Sequence, residues 1–94
     1  MRWTLLVLFA CGCASKSRFE HACRSLRRGI PMEQVRNTMN RVSSGHEFIG
    51  EADFWWQKRW LAWRKDVCEV ASAGRSYEQL RMTEVDYREE SLSN

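Results

Sequence analysis

Residues Phe19–Asn40 read FEHACRSLRRGIPMEQVRNTMN, and this stretch decides the fold because it predicts two short helices in succession. Ser17, just upstream, precedes Glu20 by three residues, which is the spacing of a capping box at a helix N-terminus. Apolar residues then recur at helical spacing, at Phe19, Cys23 and Leu26. Gly29 can adopt the left-handed backbone conformation that ends many helices. We therefore predict a first helix from Arg18 to Arg28.

The second predicted helix begins at Pro31, since proline is favoured at the first helical position, where its missing N–H has no partner anyway. One apolar face follows at helical spacing and is formed by Met32, Val35, Met39 and Val42. Asn40 tolerates a left-handed helix end better than other non-glycine residues, and an end there leaves Val42 in the next loop. The two helices are expected to form a short hairpin.

Residues 19–40 resemble the N-terminal motif of the BamE/SmpA family of small outer-membrane lipoproteins. The family pattern has a Phe, a Leu, Gly-Met-Ser/Thr, Glu/Gln-x-Val and Leu-Gly; comparable places are filled by Phe19, Leu26, Gly29, Ile30, Gln34, Val35 and Met39. Pro31 stands where the family has Ser or Thr, and Asn40 stands where it has Gly. The spacing is also similar to that of the beta-lactamase-inhibitor-like fold. The resemblance implies a helix hairpin on an antiparallel meander, with a binding role in outer-membrane assembly.

The segment from residue 52 to residue 74, ADFWWQKRWLAWRKDVCEVASAG, supports two interpretations. At helical spacing, with Gly74 placed to cap the end, one stripe contains Ala52, Trp56, Trp60, Trp63 and Val67. Aromatic and β-branched residues favour strands instead, and the family resemblance implies a meander. We therefore predict strands at Lys58–Arg64, Val67–Ser72 and Ser76–Tyr87. Residues 42–50 are expected to form a loop or a short first strand.

The N-terminal residues include LLVLFACGCAS, Leu5–Ser15, an apolar run that ends in two closely spaced cysteines. With Arg2 before it and small residues after it, the run has the layout of a secretory signal. It is too short to cross a bilayer core of about 30 Å. A Cys after small residues resembles the bacterial lipoprotein box, in which that Cys is acylated. Cys13 is the preferred lipidation site and Cys11 the alternative; cleavage before Ser15 would give a soluble secreted protein, and an uncleaved helix is the remaining option.

The expected domain has the α+β class, with a two-helix hairpin packed on a three-stranded antiparallel sheet. The predicted boundaries are a signal peptide at residues 1–12, a tether at 13–17, the domain at 18–87 and a frayed tail at 88–94.

Cys23 and Cys68 are the two cysteines beyond the signal. In an oxidising compartment such a pair is a candidate disulfide. Closing a loop of about 45 residues would stabilise the fold by about 4 kcal/mol through lost chain entropy. Two buried free thiols are the alternative.

Composition and motifs argue against several classes of function. The net charge is +3 and the charges alternate in sign, unlike the concentrated basic face of a nucleic-acid-binding protein. His21 and His46 lack metal-ligand spacing, and the sequence has no glycine-rich phosphate loop. The chain is too short to wall a substrate pocket around a Cys/His pair. We therefore expect no enzyme activity, metal, cofactor, small-molecule substrate or nucleic-acid partner.

The aromatic content is the strongest functional signal, because tryptophan is enriched at binding hot spots and membrane interfaces. The predicted partner-binding residues are Trp55, Trp56, Trp60 and Trp63. The alternatives are that most of the aromatic residues build the core of the small domain, or that they contact lipid headgroups. The sequence thus predicts a small bacterial lipoprotein on the periplasmic face of the outer membrane, acting as a binding or scaffold accessory for envelope proteins. The alternative is a soluble secreted binding or inhibitor module with Trp55 and Trp63 as anchors.

Overall fold

The computed structural model describes residues 16–59 and 62–92, which form an α+β fold with two helices and one four-stranded antiparallel sheet. In chain order the elements are α1 (residues 16–25), α2 (Met32–Asn40), β1 (Gly45–Ile49), β2 (Ala52–Arg59), β3 (Arg64–Ala73), a 3₁₀ turn (Tyr77–Gln79) and β4 (Arg81–Ser91). The strands lie in the order β1-β2-β3-β4, so the sheet is a meander. The prediction of three strands is wrong by one, because β1 pairs with β2 along its whole length.

The boundaries of β2 differ from the predicted strand Lys58–Arg64. The strand begins at Ala52 and ends at Arg59, and residues 62 and 63 belong to the turn before β3. Burial along β2 alternates from its second residue, because Asp53 and Trp55 face the protein interior. The helical alternative for residues 52–74 is therefore wrong, and the predicted strand Val67–Ser72 lies within β3.

Helix α1 ends at residue 25 rather than at Arg28. The Ser25 hydroxyl donates to the Ala22 carbonyl at 2.7 Å, a local bond that competes with continued helix. Gly29 has a φ of 96°, and its N–H donates to the Met82 carbonyl at 2.8 Å. The backbone from Gly29 to Met32 therefore pairs with the start of β4, and the helix ends before this segment. The predicted capping box is also wrong, because residue 17 is already helical and Glu20 pairs with Arg24.

Helix α2 ends at the predicted residue but begins one residue later than predicted, at Met32. Pro31 precedes it with extended backbone, the helix ends at Asn40, and Val42 lies in the following loop. Met32, Val35 and Met39 are buried on one face, as their spacing predicts.

One buried cluster joins both helices to the sheet. It contains Phe19, Cys23, Leu26, Met32, Val35, Met39, Trp55, Cys68, Val70 and Met82. Full burial of side chains of this size contributes roughly 1.5–3 kcal/mol each before conformational entropy is subtracted. We call the side of the sheet that carries Trp55, Cys68, Val70 and Met82 the covered face.

A disulfide joins Cys23 of α1 to Cys68 of β3, with a Cα–Cα distance of 5.9 Å. Both residues are fully buried. Of the two alternatives that the sequence leaves open, the structure has the bridged pair.

Strand β4 contains a bulge at Thr83, because Ala71 pairs with Glu84 while the adjacent Ser72 pairs with Met82. The extra residue shifts the side-chain alternation by one position. As a result Met82 and Val85 both contribute to the core although they are three residues apart. Beyond the predicted domain end at residue 87, β4 continues to Ser91, so residues 88–91 are strand and not a frayed tail.

Candidate functional site

The sheet has a second side, which we call the open face. Residues that are paired across the four strands form rows on this face. One central row contains Gly45, Trp56, Val67 and Arg88. The neighbouring row contains Glu47, Phe54, Glu69 and Asp86. A third row contains Lys58, Lys65 and Glu90. A shallow depression of about 270 Å³ lies on this face and is lined by Glu47, Ile49, Phe54, Trp56, Lys58, Lys65, Val67, Arg88 and Glu90.

The floor of the depression is apolar. Phe54 and Trp56 are half-buried, and Val67 is only 4% exposed although the helices pack against the other face. Gly45 lies opposite Trp56, and a Cβ at that position would come within 2.4 Å of the indole. The indole therefore lies over the glycine backbone of β1, which covers the gap that the missing side chain leaves.

The rim on the β4 side is an ion cluster around Arg88. Its guanidinium donates to Glu69 and to Glu90, each at 2.8 Å, and to Asp86 at 3.3 Å. The same group lies 5.9 Å from the centroid of the Phe54 ring, within the range of a cation–π contact. Hydrogen bonds to Glu90 and Glu69 raise the pKa of Arg88, and the bond from Arg88 lowers the pKa of Glu90. The cluster holds these side chains in fixed positions at the edge of the apolar floor.

The rim nearest the β2–β3 turn is basic. Lys58 and Lys65 lie directly opposite each other on the open face, and Lys65 pairs with Glu90 at 3.6 Å. Like charges directly opposite on one face destabilise a sheet. This rim therefore carries two ammonium groups side by side, one of which is paired with Glu90.

The structure places three of the four tryptophans predicted to bind a partner, and they have different surroundings. Trp55 is fully buried on the covered face, where its indole N–H donates to Asn40 at 2.9 Å and its ring stacks on His46 at 4.3 Å. Trp55 is thus a core residue, and the prediction that it contacts a partner is corrected. Trp56 lies on the open face, and Trp63 is 65% exposed in the β2–β3 turn. Trp60 lies outside the described residues, as do Cys11 and Cys13.

Three residues of the open face were not among the predicted site residues, namely Phe54, Val67 and Arg88. The sequence did contain a signal for one of them, Phe54. Alternation with a period of two from Ala52 places Phe54 and Trp56 together, opposite Asp53 and Trp55. The position of Arg88 depends on the bulge at Thr83.

A second depression, of about 670 Å³, lies on the covered side beside the edge strand β1. Its lining includes Arg36, His46, Phe48, Asp53 and Leu80. His46 Nε2 lies 2.7 Å from the buried Asp53 carboxylate. Across residues 16–59 and 62–92, no three His, Cys, Asp or Glu side chains are grouped so as to hold a metal ion.

Cys23 and Cys68, the two cysteines within the described residues, are bonded to each other, so neither supplies a free thiol for a Cys/His nucleophile pair. Neither described helix combines the length and apolar character required to cross a membrane. Comparisons of this chain with protein-family models, with curated proteins and with solved structures find no match.

Proposed function

We propose that this chain is a small lipid-anchored binding protein of the bacterial envelope, and that its open face holds a protein partner. The observation that carries the proposal is the apolar floor of Phe54, Trp56 and Val67 between two charged rims, on the side of the sheet opposite the helices. In this proposal the helices act as a hairpin that supports the sheet from the covered face.

The shape of the open face favours a protein over a small molecule. Pockets for small ligands usually have volumes of about 300–1,000 Å³ and enclose most of the ligand. The depression here has about 270 Å³ and is open along one side of a sheet. It can receive one or two side chains of a partner, but it cannot surround a metabolite.

The size of the open face predicts modest affinity. With eight residues in β2, at about 3.3 Å per residue and about 4.8 Å between strands, the face measures about 26 Å by about 19 Å. The resulting planar area of about 500 Å² is below the roughly 800 Å² that each partner buries in a standard interface. We therefore expect either a dissociation constant in the micromolar range or a partner that also extends past the sheet.

Export and lipid attachment are supported by the sequence around Cys13 and by the disulfide. Disulfides persist in oxidising compartments such as the periplasm and are rare in the cytosol. The bridge between Cys23 and Cys68 therefore fits a protein that folds after export. The resemblance of residues 19–40 to the BamE/SmpA family points to the same compartment.

The lipid anchor is tested by labelling cells with radioactive palmitate. We expect label in the wild type and in Cys11→Ala, and none in Cys13→Ala. Loss of label only in Cys11→Ala would show that the lipid is attached at Cys11. A soluble, exported and unlabelled protein would favour the secreted binding module instead.

The binding surface is tested by photo-crosslinking in intact cells. A photoreactive amino acid is placed on the open face at Lys58 and, as a control, on the exposed side of α2 at Glu33. We expect one discrete protein adduct from position 58 and none from position 33. Equal adducts from both positions would contradict an interface on the open face.

A further inference from the structure

Trp63 lies in the turn between β2 and β3 with an unusual backbone. Its φ is 51°, in the left-handed region that non-glycine residues rarely adopt, and its side chain is 65% exposed. The Leu92 N–H donates to the Trp63 carbonyl at 3.0 Å, which fixes the turn to the end of β4. A large, mostly exposed apolar side chain thus lies on a strained backbone, and such strain is concentrated at functional sites.

The start of α1 lies at the same end of the sheet as Trp63. Lys16 pairs with Glu89, and Arg59 also contacts Glu89, at 3.4 Å. Glu89 pairs with Asp66 of β3. Asp66 is two residues after Arg64, where β3 begins directly after Trp63. The first turn of α1 and the β2–β3 turn therefore lie at the same end of the sheet.

We propose that Trp63 inserts into the headgroup region of the bilayer that holds the lipid anchor, an inference that rests on the proposed attachment at Cys13. Only two residues lie between Cys13 and Lys16, and an extended chain over these three residue steps reaches about 10 Å. The anchor therefore holds this end of the sheet close to the membrane surface.

The chemistry at this end of the sheet suits a membrane surface. Tryptophan is enriched at the membrane interface, where its ring contacts acyl chains and its N–H contacts the polar headgroups. Arg18 and Arg64 are exposed beside the two turns, and each cation near an anionic surface strengthens membrane binding. Anionic phospholipid is thus the expected partner of this end of the molecule.

Vesicle binding tests the inference without the lipid anchor. The probe is the chain from residue 13 onward carrying Cys13→Ser, because the apolar residues 1–12 would themselves bind vesicles. This chain keeps every residue of the described fold. Its partitioning is measured by co-sedimentation with vesicles of phosphatidylethanolamine and phosphatidylglycerol, and with vesicles of phosphatidylcholine alone.

Trp63→Gly is the decisive variant, because glycine adopts a positive φ without strain. We expect Trp63→Gly to keep or raise the urea midpoint of unfolding while it weakens partitioning to anionic vesicles at least about fivefold. The matched control is Phe48→Ala, since Phe48 is 62% exposed but lies near the β1–β2 turn at the opposite end of the sheet. Phe48→Ala should change partitioning by less than about twofold. Arg64→Gln should weaken binding to anionic vesicles only.

Three results would overturn the inference: no binding to either vesicle, equal losses in Trp63→Gly and Phe48→Ala, or a Trp63→Gly variant that loses a protein crosslink but binds vesicles normally. Palmitate labelling in cells is a separate measurement. If the protein is labelled in cells but its unlipidated form does not bind vesicles, the lipid anchor is supported and only the proposed role of Trp63 is contradicted.

Discussion

Asp66 shows how a single buried charge can join three strands. It is fully buried in β3 and accepts hydrogen bonds from Arg59 at 2.9 and 3.1 Å, from Tyr87 at 3.0 Å and from Gln57 at 3.2 Å. These donors come from β2 and β4, the two neighbours of β3. Burying a carboxylate is costly unless it is paired and hydrogen-bonded, and here both oxygens are fully engaged.

Replacing Asp66 by Asn should therefore be strongly destabilising. The side-chain amide of the variant would point N–H groups at side chains that are themselves donors. Arg59 would also lose its closest carboxylate. We expect the free energy of unfolding to fall by about 3–5 kcal/mol in urea titrations. The control is Asp86→Asn, an exposed partner of Arg88, for which less than about 1 kcal/mol is expected. Similar losses in the two variants would contradict this role of Asp66.

Because of Tyr87, the stability of the protein is expected to depend on pH in the alkaline range. Burial, followed by the hydrogen bond to Asp66, raises the pKa of Tyr87 above its usual value of 10.0. The folded state therefore keeps this proton at pH values where the unfolded chain loses it. The contribution to stability is complete below about pH 10 and is lost as the pH rises further.

Comparison with Tyr87→Phe isolates this titration. The wild type should be the more stable protein at pH 8, because it keeps the hydrogen bond to Asp66. Its advantage in free energy of unfolding should shrink steadily between about pH 10 and pH 12. A difference that stays constant over this range, in urea titrations at each pH, would show that Tyr87 is not the group involved.

At the scale of the elements, β1 and β2 depend on the fit between Gly45 and Trp56. A methyl group at Gly45 would meet the indole, so the ring must leave its place over β1. We expect Gly45→Ala to lower the free energy of unfolding by about 1–3 kcal/mol. In a Trp56→Ala background the same change should cost almost nothing, because the ring is absent. An equal cost in both backgrounds, measured in a double-mutant cycle, would contradict the contact.

Helix α2 was the element best predicted from sequence, because its signals agree. Pro31 marks the start, apolar residues at helical spacing define one buried face, and Asn40 marks the end. Helix α1 was predicted less well. Its last predicted turn is not helical, and residues 29–32, which follow that turn, pair with the start of β4 through a long-range contact that local spacing does not contain.

The candidate site was only partly predictable, for two physical reasons. Aromatic residues lie on both faces of β2, so counting tryptophans could not separate the buried Trp55 from Trp56 on the open face. The bulge at Thr83 then reverses the alternation of β4, and it alone decides that Arg88 joins the open face. Bulges depend on how two strands fit together and have no reliable local signature.

At the scale of the whole molecule, the disulfide ties α1 to the centre of the sheet. The bond spans 45 residues, more than half of the described chain. Cys23→Ser combined with Cys68→Ser should lower the free energy of unfolding by about 4 kcal/mol. Domains of this kind have only about 5–15 kcal/mol in total, so the reduced protein would be marginal. An unchanged urea midpoint in the presence of reductant would contradict this contribution.

Different parts of the molecule have different proposed roles. The covered face and the helices supply the core, the open face supplies the proposed protein contact, and the end with Trp63 faces the proposed membrane anchor. This arrangement would leave the open face accessible to a partner while the protein stays at the membrane.

The central claim is that Trp56 and its neighbours on the open face bind a protein. The most direct test is calorimetric titration of the crosslinked partner, once purified, against the wild type, Trp56→Ala and Lys58→Glu. We predict that Trp56→Ala weakens binding at least about tenfold, as expected for a hot spot, and that Lys58→Glu also weakens binding. Phe48→Ala should bind as the wild type does. Wild-type affinity in both open-face variants would contradict the account.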